Sequence, residues 1–391
     1  MFSEKTNWPL TTNELTKACQ ERKREHLPIL DLTESNPTRC GFEYDSEKLL
    51  AALRDSRTVI YEPDPHGLLS ARLAVVDYYA ERGIRLHPDQ IFLTASTSEA
   101  YSFVFHLLAD AGDSILAPRP SYPLFDFLAR FHELELLDYP LGYGPPWQID
   151  QAAFASRISA RTRAALVVHP NNPTGSFVHE DEAAFLLERC AEHSMTLIAD
   201  EVFSDYGLPG AAISRAPGFA GEDRVLVFTL SGLSKISALP QMKCAWIVAS
   251  GPPDLLRKAV SRLEVIADTY LSISAPVAWA LPQLLDLRHT LQPQIVQRLQ
   301  SNLARLDARI AGNSVSRLEI EGGWYTILRV PSTRTDEDWA VDLLKSEGVW
   351  VHPGHFYDFP GEGHLVVSLL PRPDVFEDGI GKLVGLVDGE L

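Results

Sequence analysis

The sequence predicts an α/β protein: a seven-stranded, mostly parallel, doubly wound sheet with a smaller α+β domain attached. Three observations lead there. From about residue 91, short apolar runs alternate with stretches long enough to hold a helix. The runs show no polar alternation, which suits strands covered on both faces. Near residue 290 the pattern gives way to one long amphipathic stretch and then shorter strand-like segments.

The sheet strands are expected at Ile91–Ala95, Ser114–Ala117, Glu135–Tyr139, Ala164–His169, Thr196–Asp200, Val225–Leu230 and Ala245–Ala249. Beyond them, Gln292–Ile310 places Ile295, Leu299, Leu303, Leu306 and Ile310 at helical spacing. Strand-like Leu318–Ile320, Tyr325–Val330, Val349–His352 and Leu365–Leu369 follow, with a helix through Glu337–Lys345. The chain therefore divides into a large domain (46–290) and a small C-terminal domain (291–391). Residues 1–45 are too few to fold alone and are expected to pack on the small domain or on a partner subunit.

A chain of 391 residues can bury two sizeable cores. Its 45% hydrophobic and 22% charged residues are the balance of a globular protein. The net charge of −17 argues against a nucleic-acid surface. It also means that an anionic ligand has to be drawn in by local positive groups. Cys19, Cys40, Cys190 and Cys244 are scattered, without metal-ligand spacing. The N-terminus lacks an apolar signal core, and no run approaches the ~20 apolar residues that span a bilayer. The expected location is the cytoplasm, with neither membrane nor nucleic acid as partner.

Three polar groups follow apolar runs: Asn172 in His169-Pro170-Asn171-Asn172-Pro173-Thr174-Gly175, Asp200 in Ala199-Asp200-Glu201-Val202, and Lys235 in Ser231-Gly232-Leu233-Ser234-Lys235. Each should sit at the carboxyl edge of the sheet, where open α/β sheets bind ligands. A lysine, an aspartate and an asparagine converging there meet the needs of pyridoxal 5'-phosphate: an amine for the aldehyde and a carboxylate for the pyridinium nitrogen. Ser96, Thr97 and Ser98 open a helix after the first run, and small residues at a helix start favour a phosphate.

With these motifs in their order, the chain resembles the pyridoxal-phosphate-dependent aminotransferases of class I/II, fold type I, from roughly Leu30 to Leu370. The resemblance implies an enzyme that moves an amino group from an amino acid or amine to a keto acid. Lys235 would be the Schiff-base lysine and proton shuttle, Asp200 the partner of the pyridine nitrogen, and Asn172 the donor to the ring hydroxyl. Tyr122, in Pro120-Ser121-Tyr122-Pro123, would stack on the ring. Ser96, Thr97, Ser98, Ser234 and Lys243 would hold the phosphate. Tyr61 would reach it from a second subunit, which implies a homodimer with active sites at the interface. Lyases, decarboxylases and carbon–carbon bond-forming enzymes share this fold and stand as the alternative. A ligand sensor fused to a DNA-binding module is disfavoured, because Lys235 is retained and residues 1–30 are too short for such a module.

Four positions depart from the family pattern. Phe203 replaces a tyrosine that bonds the ring oxygen, so Asn172 is expected to act more alone and the lysine imine to stay protonated to higher pH. Gly232 stands where a phosphate-binding serine is usual, and Ser231 or Ser234 is expected to compensate. Lys243 replaces an arginine, keeping the charge without the bidentate fork. Val366 replaces the arginine that clamps the substrate carboxylate. Arg39 and then Arg372 are the candidate substitutes, unless the substrate has no carboxylate there. Trp324 is expected to shape an apolar substrate pocket. His352 and His355 lack a third metal ligand and read as loop residues.

Overall fold

The computed structural model describes residues 1–210 and 214–389. Its strands are β1 (Leu30–Asp31), β2 (Ile91–Thr94), β3 (Ser114–Arg119), β4 (Glu135–Tyr143), β5 (Trp147–Ile149), β6 (Thr162–Val168), β7 (Thr196–Asp200), β8 (Val227–Gly232), β9 (Ala245–Ser250), β10 (Ser316–Arg317), β11 (Tyr325–Arg329), β12 (Val349–Trp350), β13 (His352–Pro353) and β14 (His364–Ser368).

The large sheet has the order β2-β9-β8-β7-β6-β3-β4-β5. β4, β3, β6, β7 and β8 pair in parallel, whereas β9 is antiparallel to both β8 and β2. β2 consequently runs in the same direction as β8. The carboxyl ends of β2, β3, β6, β7 and β8 all reach one edge. β2, β7, β8 and β9 are buried at every residue, as strands covered on both faces must be.

The sheet has eight strands rather than seven. The run at Glu135 extends to Tyr143, and the extra residues pair antiparallel with the short β5. Trp147 and Ile149 are the buried faces of β5. Three residues with one polar position between them are too few to show a period in the sequence.

The small domain carries a sheet of order β10-β11-β14-β13. The expected strand at Leu318–Ile320 lies instead at Ser316–Arg317, because Glu321 is drawn away: its backbone N–H donates to Gly175 O at 3.1 Å in the large domain. The run Val349–His352 is split between two sheets, with β12 pairing to β1 and β13 to β14. The helix expected at Glu337–Lys345 covers Asp336–Asp342 and ends in a wider turn, Leu343–Glu347, closed by Gly348 at φ 72°. The long amphipathic helix spans Arg288–Ile310 and buries Ile295, Leu299 and Leu306.

β1 pairs in parallel with β12. Leu15, Ala18 and Cys19 of the helix Glu14–Arg24 are buried in the same cluster as Trp339, Ala340, Leu343 and Leu344.

Candidate active site

The residues at the carboxyl edge enclose a cavity of about 260 Å³. Gly232 ends β8, and Ser234 and Lys235 stand in the helical turn Leu233–Ile236 that follows it; Asp200 comes from β7, Asn172 from the loop after β6, Ser96 and Thr97 from the cap and first residue of the helix after β2, and Tyr122 from the loop after β3. Seven of the predicted site residues therefore line one space: Ser96, Thr97, Tyr122, Asn172, Asp200, Ser234 and Lys235.

Local structure explains each placement. Ser96 caps the helix Thr97–Leu108, its hydroxyl accepting from Glu99 N at 3.2 Å. The backbone N–H groups of Thr97 and Ser98 in the first turn have no intrahelical acceptor and are open to an anion. Asn171 fastens the next loop: its Nδ2 donates to Pro120 O at 3.0 Å and to Thr174 Oγ1 at 2.9 Å, and its Oδ1 accepts from Ser121 Oγ at 3.2 Å. The loops bearing Asn172 and Tyr122 are thus tied together. Gly175 closes its turn at φ 68°, and an added Cβ would meet Gly322 O at 2.6 Å.

Asp200 is buried. Tyr101 Oη donates to its Oδ2 at 2.8 Å and Val202 N to its Oδ1 at 3.1 Å. Burial pushes its carboxyl up to about 6, while the Tyr101 bond, the Val202 bond and the Lys235 charge pull the other way. Burial also lowers the Lys235 amine to about 8, opposed by the charge of Asp200. The Lys235 Nζ lies 4.6 Å from the Trp324 ring centroid and 5.2 Å from that of Phe203. Its carbonyl accepts from Tyr206 Oη at 2.6 Å, which fixes the lysine backbone.

The donor set suits a flat, anionic, aldehyde-bearing cofactor. Asn172 Oδ1 is buried with no partner, an acceptor that favours a ligand bringing an O–H or N–H to it, while the same amide's Nδ2 is the atom able to donate to a ring oxygen. Gly232 leaves no room for the family serine: an added Cβ would lie 2.8 Å from Ala245 Cα and 2.9 Å from Cys244 O.

Other predicted residues stand elsewhere. Trp324 is fully buried behind Lys235, packed edge-on against Phe203 and Tyr206. It supports the lysine rather than forming a pocket wall. Ser98 sits in the first helical turn but does not line the cavity, and Lys243 is exposed. Tyr61 is 80% exposed and borders a separate cavity with Trp279 and Leu271. Neither substitute arginine reaches the site. Arg39 is exposed on the short turn Pro37–Arg39, and Ser35 is the residue of that segment that lines the cavity. Arg372 forms an exposed ion pair with Asp374 at 3.0 Å. Val366 is buried among Trp147, Leu318, Ile327, Tyr357 and Phe359.

Sequence reasoning missed Tyr101, Ser35 and Phe125. Tyr325 ends the segment Glu321-Gly322-Gly323-Trp324-Tyr325, which by resemblance borders the substrate, and it does line the cavity. Tyr101 sits on a helix among Phe103, Val104 and Phe105 and carries no signal beyond that of a core residue.

A family model described as aminotransferase class I and II matches residues 28–375. The chain is 26% identical over 383 residues to the glutamate-pyruvate aminotransferase AlaA of Escherichia coli, covering 95% of this chain and 94% of that protein. It is 27% identical over 354 residues to an alanine aminotransferase of Mycobacterium tuberculosis, covering 88% and 82%. Among solved structures, an aminotransferase from Escherichia coli superposes with a TM-score of 0.87 at 25% identity over 100% of this chain and 98% of that one. The alanine aminotransferase of Pyrococcus furiosus shares the fold at a TM-score of 0.88 and 22% identity, covering 100% of both chains. None of these relatives favours the lyase alternative. The chain belongs to the class I and II aminotransferases, and it is an aminotransferase on the fold type I scaffold.

Proposed function

We propose that the enzyme carries pyridoxal 5'-phosphate on Lys235 and transfers an amino group between an amine donor and a carbonyl acceptor. The observation that carries this reading is the convergence of Lys235, Asp200 and Asn172 on one cavity from three adjacent strands. When bound, the cofactor supplies an electron sink for the pair left on the substrate carbon. With its pKa lowered to about 8, the Lys235 amine is neutral in part near pH 7 and can take up and return a proton at Nζ. Asp200, ionised above about pH 6, is the group to hold a proton on the pyridine nitrogen. Asn172 is the partner for the ring oxygen, and Phe203 adds no hydroxyl there. Tyr122 offers an aromatic face for stacking. The helix start at Ser96, Thr97 and Ser98, with the Ser234 hydroxyl, is suited to the phosphate; Lys243 adds charge from outside the cavity.

A homodimer is part of the proposal. Val59, Ile60 and Tyr61 are consecutive and exposed at 86%, 56% and 80%, an apolar surface that favours cover by another chain. Buried, unpaired cysteines are in keeping with a reducing cytoplasm.

The test is borohydride reduction of the cofactor-loaded protein followed by peptide mass mapping. The label is expected on Lys235, and Lys235→Ala should lose both the visible band and turnover. A label on another lysine, or turnover in the variant, would refute the assignment.

A further inference from the structure

We propose that the preferred donor bears no carboxylate on the carbon that carries its amino group: it is a primary amine with an aromatic or aliphatic side chain. This rests on the cofactor reading above and specifies the substrate class of that same site.

The argument begins with strand register. β11 and β14 pair Tyr325 with Ser368 and Ile327 with Val366. Directly opposed residues, and residues two apart on one strand, share a face. Val366 therefore projects on the same side as Tyr325, which lines the cavity. A carboxylate clamp at that position needs a guanidinium with a two-pronged fork. Valine offers neither charge nor donor, and it is 1% exposed within an apolar cluster.

Among the described residues of this chain, no other cation takes the place. Among the described residues lining the cavity, Lys235 is the sole lysine or arginine. Arg298 comes close to the N-terminal segment, but its Nη1 is engaged by the carbonyls of Cys40, Leu370 and Pro371, and the guanidinium lies over the Phe42 ring at 5.0 Å. His352 opposes Val366 in β13; burial lowers its pKa, so the ring stays neutral at physiological pH. A substrate carboxylate would meet an apolar wall with no guanidinium to receive it. An aromatic or alkyl group would meet Phe125 and Tyr325. The relatives named above act on alanine or on glutamate and pyruvate, so the inference separates this enzyme from them in substrate while keeping the reaction.

The experiment uses the cofactor-loaded holoenzyme and matched donors: phenethylamine against phenylalanine, and ethylamine against alanine. Loss of the visible band is followed in a single turnover at equal donor concentration. The amine of at least one pair is expected to react at least tenfold faster than its amino acid. Val366→Arg should narrow or invert that ratio; if this buried substitution fails to fold, the wild-type pairs decide alone. Amino acids reacting as fast or faster would overturn the proposal and would indicate an arginine supplied by a second subunit. No reaction with either member of both pairs would overturn it too. A wild-type protein with no cofactor band fails before any donor is added, which marks failure of the cofactor reading itself.

Discussion

Removing the hydroxyl of Tyr101 should change the pH at which the enzyme holds its cofactor. Tyr101 Oη donates to Asp200 Oδ2 at 2.8 Å, and both groups are buried. A hydrogen bond to an ionised group is worth roughly 1.5–3 kcal/mol, and each pKa unit corresponds to about 1.4 kcal/mol. Tyr101→Phe should therefore raise the Asp200 carboxyl from about 6 by about 1–2 units. At pH 7 its ionised fraction would fall from about 90% to between roughly 50% and 10%. The ring itself stays packed against Phe125 and Phe105, with centroids at 5.4 and 5.9 Å, so the fold should persist. The assay is cofactor affinity by visible absorbance from pH 5 to 9, with a thermal melt as control. The acid limb of binding should move up by about 1–2 units. A limb that stays near pH 6 in a normally folded variant would show that Tyr101 does not tune Asp200.

Three further outcomes are expected. In the cofactor-free protein, Asp200 has a folded pKa of about 6 against its ordinary 3.8. The folded chain then binds more protons than the unfolded one between those values. This group's contribution to stability falls by about 2 kcal/mol as pH rises from 4 to 6, loses the last few tenths by about pH 7 and is level above that; denaturant melts of wild type against Asp200→Asn should show the difference. Gly232→Ser, which restores the family serine, forces a Cβ to within 2.8 Å of Ala245 Cα. It should cost about 1–3 kcal/mol in unfolding experiments and bring no gain in cofactor affinity. Glu321→Gln weakens the acceptor for Phe177 N at 2.9 Å and the contact with His179 Nε2 at 3.1 Å. It should lower stability by about 1–3 kcal/mol and shift tryptophan fluorescence through Trp324, three residues along; an unchanged spectrum would mean the loop is held by its backbone bonds alone.

Much of the site was legible because its chemistry follows strands. Asn172, Asp200 and Lys235 each come after an apolar run, and parallel pairing brings such ends to one edge. The supports were not legible. Tyr101 and Asp200 are 99 positions apart, and nothing in a helical tyrosine tells which strand end it will meet. Arg39 and Arg372 have the right chemistry, but a side chain's direction out of a turn or a helix start is decided by packing, which sequence spacing does not encode. The run Val349–His352 looked like one strand because its residues are uniformly suited to one. It is divided because two different neighbours, β1 and β14, compete for its backbone.

That division has a consequence for how the chain folds. Leu30 finds its strand partner at Val349, so two segments far apart in the sequence have to meet before this pair can form. Contacts of such sequence separation are slow to form. The large domain, whose strands lie between Ile91 and Ser250, can assemble while the N-terminal segment still has no partner. The small domain then supplies the edge, β12, that receives β1. The pairing of β1 with β12 is then the closing event of folding.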